Sequence, residues 1–240
     1  HHMIDVADPK ETHTVAQYKD GAVRAIEHIH QRCKVPFLVG GTGLYVRAVV
    51  DNLRIPPVAP QPELRAELER LELPKLQERL KEVDPVGYEL IDLQNPRRVI
   101  RAIEVSETAG VPFSKLTAAD EPLFDSLVLG LHRELDVLRE RIAERHRGRW
   151  PDLVAEVRAL HEGGLDWDRL ESFGLTYRRA AEFVRGERDE TDTIELIIKE
   201  EAEYAKRQMT WFRREEGVTW LEGFGTDEKI QAELFEKLNM

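Results

Sequence analysis

The chain has 240 residues, 41% of them apolar and 34% charged, with a formal net charge of −11. That length can bury a substantial core, as one large domain or two small ones. No apolar run approaches the ~20 residues of a membrane span and no signal peptide opens the sequence, so the expected setting is the cytoplasm, without a membrane partner. The lone cysteine, Cys33, excludes an intrachain disulfide and argues against a cysteine-based metal site. An acidic mean argues against a diffuse nucleic-acid-coating surface, although positive charge can still be concentrated locally. His1-His2-Met3 has the look of an expression-tag scar.

In chain order, Thr14-Val15-Ala16-Gln17 has the spacing of a capping box and predicts a helix. Val15, Tyr18, Ala22, Ile26, Ile29 and Cys33 form one apolar face for it, up to about Lys34. Val35 to Val39 then reads as a short buried strand, Gly40-Gly41-Thr42-Gly43 as a turn, and Leu44 to Val50 as the first turns of another helix. Helix, strand, glycine turn, helix is an α/β unit on a parallel sheet. From Arg54 the texture changes. Pro56, Pro57 and Pro60 punctuate the chain, and a charged helical stretch without a clear strand follows, which predicts an inserted helical domain over residues 53–119 between core segments 1–52 and 120–240. Its clearest helix runs from Pro96, a favoured first-turn residue, to a stop at Gly110. Ser126 to Leu131 returns to strand character. The rest is mostly helical, with the longest helix expected from near Asp192 toward Gly217 and a last strand at Val218 to Leu221.

Four places carry chemistry. A glycine turn between strand and helix aims backbone N–H groups at one point beside the positive end of the helix dipole, which suits a phosphate, and Thr42 adds a hydroxyl. Glycines placed there for tightness alone are the alternative. Arg139 to Arg149 holds five arginines against two glutamates; Arg141 and Arg145, four apart, share a helix face and could grip a diphosphate, while a solvated face of Glu–Arg pairs is the plainer reading. Arg97, Arg98 and Arg101 form a third cluster. Lys206, Arg207, Arg213 and Arg214 form a fourth, interleaved with Gln208, Trp211 and Phe212, as on a surface that holds phosphates and stacks bases; the two aromatics could equally be core. Three separate basic clusters make a polyanionic partner plausible. No DDxxD diphosphate–magnesium motif and no G-x-S-x-G elbow occurs, and His28 and His30 face different sides of one helix. Those two histidines read as surface residues rather than metal ligands, Cys33 as part of an apolar face, and no protein metal ligand is named.

Together these stretches resemble the tRNA dimethylallyltransferase (isopentenyltransferase) family. The resemblance rests on "HHMIDVADPKETHTVAQY", "FLVGGTGLYVRAVVDNL", "NPRRVIRAIEV", "ESFGLTYRR" and "YAKRQMTWFRREEGVTWL", in the family's order and across nearly the whole chain, and it makes His1 and His2 native residues. It implies a P-loop NTPase-like parallel sheet core with an inserted helical domain that grips the anticodon stem. It also implies transfer of a dimethylallyl group from dimethylallyl diphosphate to N6 of adenine 37 in tRNAs reading UNN codons, with Mg2+ as cofactor and a monomer acting on the tRNA anticodon stem-loop.

By the same resemblance Thr42, Arg145 and Arg141 are catalytic, and Gly40, Gly41, Thr42, Gly43 and Arg145 hold the diphosphate. The implied tRNA contacts are Tyr45, Arg65, Arg97, Arg98, Arg101, Phe173, Gly174, Lys206, Arg207, Gln208, Trp211 and Arg213. The family also has a GPTxxGKT loop and an Asp-Ser segment following it; these 240 residues contain no GPTxxGKT loop and so no Asp-Ser segment behind one, Asp125-Ser126 lying far along the chain. The diphosphate-gripping lysine, the magnesium-binding hydroxyl and the general base are therefore expected in an N-terminal part absent from this sequence, and the 240 residues alone are expected to be inactive. On the alternative reading the chain is a catalytically incomplete tRNA-binding fragment of such an enzyme. Gly174-Leu175 stands where many members have Gly-Tyr.

Overall fold

A computed structural model describes residues 1–223 and 226–237. The N-terminal helices are α1 (Val15–Gln31) and α2 (Gly43–Val50). Five more follow: α3 (Pro62–Leu68), α4 (Leu73–Val83), α5 (Pro85–Leu90), α6 (Pro96–Ala109) and α7 (Phe113–Leu116). Strand β1 (Leu129–His132) then precedes α8 (Leu135–Glu162), α9 (Trp167–Ser172), α10 (Leu175–Val184) and α11 (Glu190–Phe212). Strand β2 (Thr219–Glu222) and α12 (Glu228–Lys237) complete the described chain. None of these helices is long and apolar enough to cross a membrane.

The fold is α/β and mostly helical, with a small parallel sheet. β1 and β2 pair in parallel, Leu129 opposite Thr219 and His132 opposite Glu222. Four helices lie between them in sequence, as a parallel pairing requires a crossover. Gly130 sits opposite Trp220, and a side chain there would strike the indole, Cε3 at 2.6 Å.

The chain divides into two compact units. One comprises His1–Ile4, His13–Gly40 and Leu44–Asp125; the other comprises Asp5–Thr12, Gly41–Gly43 and the chain from Ser126 onward. The core of the first is Leu68, Leu76, Leu80, Val99, Ile100, Ala102 and Ile103, all from α3, α4 and α6. The two ends of that helical stretch are clasped together. Leu53 bridges Ala119, the Arg54 N–H donates to Ala118, and the Arg54 guanidinium grips Asp120. In the second unit Trp150, Val157, Leu165, Leu170, Ala180, Ala181 and Ile197 pack α8 to α11 around one another.

Local signals account for the helix ends. At α1 both capping-box bonds form: the Gln17 N–H donates to the Thr14 hydroxyl and the Thr14 N–H to the Gln17 side chain. At α6 the Asn95 side chain caps the Arg98 N–H, Pro96 occupies the first turn, and Gly110 ends the helix at φ 65°, where a side chain would be strained.

Three expectations need correction. Val35 to Val39 forms no strand; Val35, Phe37, Leu38 and Val39 are exposed, because no neighbouring strand among the described residues offers this run a ladder. The helix before it ends at Gln31. Cys33 adopts φ 52° beyond its end and is exposed, not part of an apolar face. The longest described helix is α8, with 28 residues, rather than α11, with 23. It runs through Pro151, a residue that in sequence signals a break, while Trp150 and Val157 carry its buried face across.

A buried carboxylate ties the first unit together. Glu104, on α6, has a fully buried side chain and accepts from Arg65 Nε and Nη2 (2.7 and 2.8 Å), Arg101 Nη1 (2.5 Å) and the Gln61 N–H (2.6 Å). Burial pushes this carboxyl upward, but the bonds from Arg65, Gln61 and Arg101 outweigh it and hold the pKa at about 2, against 4.5 unperturbed. A carboxylate depressed in the folded state stabilises it above the unfolded pKa, and that contribution drains away as pH falls from 4.5 toward 2. A drop of this size corresponds to about 3 kcal/mol. Denaturant midpoints measured between pH 6 and pH 2 should therefore fall steeply below pH 4.5, and Glu104→Gln should flatten much of that slope.

Candidate functional site

The glycine turn and α11 meet. Gln208 Nε2 donates to the Gly41 carbonyl at 2.9 Å. A side chain on Gly41 would collide with the Gln208 amide, and one on Gly43 would collide with the Trp211 indole, with Cε2 at 2.5 Å. Gly41 and Gly43 are thus glycines because two side chains from 165 or more residues later lie directly on the backbone. Gly40 has no such neighbour, since a side chain there would meet nothing within 4 Å. Thr42 is exposed. Packing accounts for two of the glycines, then, and leaves Gly40 and Thr42 at the surface of a turn that opens α2. Tyr45, on α2, packs edge-on against Tyr18 at 4.7 Å.

Arg145 belongs to a polar cluster between α8, α10 and α11. It reaches the Glu201 carboxylate, which also contacts His146 Nε2 at 2.9 Å and accepts from the Thr176 hydroxyl at 3.3 Å. Burial pushes Glu201 upward, but the His146 hydrogen bond and the charges of His146 and Arg145 more than cancel it, so its carboxyl stays below the usual range. Glu201 is therefore an anion at neutral pH. Arg145 retains half of its side-chain surface (51%), enough to meet a ligand without leaving Glu201. Arg141, one helical turn before it, is exposed.

The implied RNA contacts fall into different surroundings. Arg97 and Arg98 are exposed on the first turn of α6. Arg65 and Arg101 serve Glu104, and Arg101 also donates to the Val58 carbonyl at 2.8 Å, so structural ion pairing already occupies both. Phe173 is half-buried at the end of α9, edge-on to Tyr177 at 5.5 Å and beneath the Arg169 guanidinium at 4.9 Å, and it packs on the second unit's core. Gly174 caps α10 at φ 126°, which favours glycine. Lys206 pairs with Glu203 at 2.6 Å, Arg207 lies over Tyr204, and Arg213 is exposed at the end of α11.

Sequence reasoning missed Glu104, His146 and Glu201. The first two had a signal: Glu104 stands in the apolar stripe of α6 beside Ile103, and His146 falls between Ile142 and Trp150 at four-residue steps. Glu201, in a run of acidic residues, had none. His28 and His30 are exposed, as read. A further trio, His132, Glu134 and Glu222, brings its ligand atoms within 4.8 Å of one another beside the paired strands, largely exposed.

The geometry is that of a mostly helical α/β protein with a glycine turn braced by a distant helix, an exposed hydroxyl in that turn and, elsewhere in the same unit, a half-exposed arginine. Comparison with known proteins specifies the family. The family model described as IPP transferase matches residues 1–215. The chain is 41% identical over 225 residues to the tRNA dimethylallyltransferase of Thermomicrobium roseum, covering 92% of this chain and 68% of that protein. It is 38% identical over 244 residues to that of a Cyanothece species, covering 99% and 77%. The crystal structure of the full-length tRNA isopentenylpyrophosphate transferase from Bacillus halodurans superposes with a TM-score of 0.68 at 32% identity, covering all of this chain and 77% of that one. The chain belongs to the IPP transferase family.

Proposed function

We propose that this protein transfers a dimethylallyl group from dimethylallyl diphosphate to N6 of adenine 37 in tRNAs reading UNN codons. The observation that carries the reading is the meeting of Gly41–Gly43 with Gln208 and Trp211, two separate motifs that each resemble the family's. In the reaction the N6 amine attacks C1 of the prenyl group, the C1–O bond to diphosphate breaks with its electron pair leaving on oxygen, and the amine's proton passes to the general base that the resemblance implies. Backbone N–H groups of the turn and Thr42 would hold the diphosphate, and Arg145 with Arg141 would neutralise the charge that develops on it. The anticodon stem-loop would meet Tyr45, Arg97, Arg98, Lys206, Arg207, Gln208, Trp211 and Arg213 directly. Arg65 and Arg101 would contribute through the face that Glu104 leaves open. The Leu53–Ala119 clasp supports reading residues 53–119 as an insertion into a P-loop NTPase-like core.

Magnesium is implied by resemblance alone. The turn itself offers one hydroxyl, at Thr42, and no carboxylate, which does not make a site for a cation that prefers carboxylates and phosphates.

Arg145→Ala should weaken binding of dimethylallyl diphosphate by about 1.5–3 kcal/mol, the value of a hydrogen bond to a charged group, as read by calorimetric titration. Unchanged donor affinity would remove Arg145 from the site. The reaction itself is tested by incubating a complete enzyme that carries these residues with dimethylallyl diphosphate and transcribed tRNA, digesting the RNA and identifying the nucleosides by mass. N6-dimethylallyladenosine mapped to position 37 is the expected product. Tight tRNA binding with no prenylated nucleoside under any condition would favour an RNA-binding role without transfer.

A further inference from the structure

The faces of α8 and α11 turned away from the glycine turn carry a second cluster of positive charge. Arg139, Ala143 and Arg147 recur every four residues along α8 and line a cleft of about 530 Å³ with Arg188 and Lys199. An adjoining cleft of about 460 Å³ shares Lys199 and Leu196 and adds Arg178 and Arg207. At 100° per residue Arg139 lies about 200° from Arg141, and Lys199 about 180° from Gln208, so these two face away from the diphosphate candidates, while Arg207, about 40° from Trp211, marks the edge where the groove meets the turn-facing side.

The charges in the groove are unusual for this protein. Acidic residues outnumber basic ones, 46 to 35, and Arg65, Arg79, Arg101, Arg179 and Arg185 all hold carboxylates. Arg139, Arg147, Arg178 and Lys199 make no hydrogen bond or ion pair among the described residues, and all four are exposed. Glu200 and Glu203 line the second cleft; Arg179 holds the first and Lys206 the second, and the charges of Arg178 and Arg139 act on them from further off. Asp192 and Glu195 also line the first cleft and temper its charge without pairing with these cations. The two clefts together hold six cations against four carboxylates, an excess of positive charge whose mutual repulsion an anionic ligand lowers.

The array is too long for one diphosphate. From Lys199 to Arg207 it follows α11 for about 12 Å at ~1.5 Å per residue, and Arg139 to Arg147 follow α8 for as far, a span that suits consecutive phosphates of a phosphodiester backbone. We infer that this groove binds tRNA backbone phosphates remote from the reacting base, a second contact that anchors the substrate. The inference rests on the tRNA-modifying function proposed above.

Arg147→Glu/Lys199→Glu and the milder Arg147→Gln/Lys199→Gln test it in the full chain, by fluorescence anisotropy with transcribed tRNA over a range of salt. The reversed pair should bind tRNA at least ~10-fold more weakly, and its plot of log affinity against log salt should be shallower by roughly 1–2, the loss of one or two phosphate contacts. The neutral pair should shift in the same direction by less. Calorimetric titration with inorganic diphosphate should match the unaltered protein, because Arg147 lies about 200° from Arg145 and Lys199 about 180° from Gln208 around their helices. Unaltered tRNA affinity and salt slope in both variants would overturn the inference while leaving the proposed function standing. A parallel loss of diphosphate affinity would also overturn it. Failure of the unaltered protein to bind tRNA at all would instead sink the proposed function, and this inference with it.

Discussion

Glu104→Ala is expected to lower the unfolding free energy by about 3–5 kcal/mol, the cost of breaking a buried ion pair by removing one partner. Arg65 and Arg101 would be left facing one another around an empty space, and the Gln61 N–H would lose its acceptor. Loss of a loop-to-helix tie at Gln61 and a helix-to-helix tie at Arg65 should loosen α3 from α6 first. Denaturant titration gives the magnitude, and amide exchange should show loss of protection concentrated in α3 and α6. A change below 1 kcal/mol would mean that the hydrophobic core of α3, α4 and α6 holds those helices without the carboxylate. Because the same two arginines are implied RNA contacts, any loss of tRNA affinity in Arg65→Ala or Arg101→Ala must be read beside a stability measurement.

Gly43→Ala should damage the protein more than its single methyl suggests, and Gly40→Ala should not. At Gly43 the added carbon lands on the Trp211 indole, a rigid bicycle, so either the ring rotates away or the turn moves. Overpacking of this kind costs about 1–3 kcal/mol. Either response also spoils the turn, so affinity for dimethylallyl diphosphate should fall by tenfold or more in calorimetry. Gly41→Ala is an intermediate case, because the obstacle there is the end of a flexible glutamine that can swing aside by giving up one hydrogen bond. Gly40→Ala meets open space and should leave the melting temperature unchanged. Equal melting temperatures and equal donor affinities for Gly40→Ala and Gly43→Ala would contradict this account of the turn.

The parts of the fold legible in the sequence are those determined by short-range chemistry. Thr14 and Gln17 cap each other within one turn, and Asn95, Pro96 and Gly110 mark both ends of α6 by themselves. Val35 to Val39 has the composition of a buried strand, but a strand exists only through a partner, and composition cannot report whether one pairs with it. The candidate site was legible as a set of motifs rather than as an arrangement. The glycine pattern was visible, whereas its bracing by Gln208 and Trp211 spans more than 160 residues and depends on tertiary packing. Arginine clusters were equally visible, but Arg65 and Arg101 look no different in sequence from Arg97. Only the buried position of Glu104 separates the arginines that tie helices together from those left facing solvent.

The central claim is that the turn at Gly40–Gly43 holds the diphosphate end of a prenyl donor. Calorimetric titration of dimethylallyl diphosphate into a complete enzyme that carries this chain unaltered and into the same enzyme with Thr42→Ala tests it most directly, since Thr42 is exposed. The account predicts saturable binding by the unaltered chain and an affinity at least tenfold weaker in Thr42→Ala, with identical melting temperatures. Equal affinity in the two proteins would contradict it.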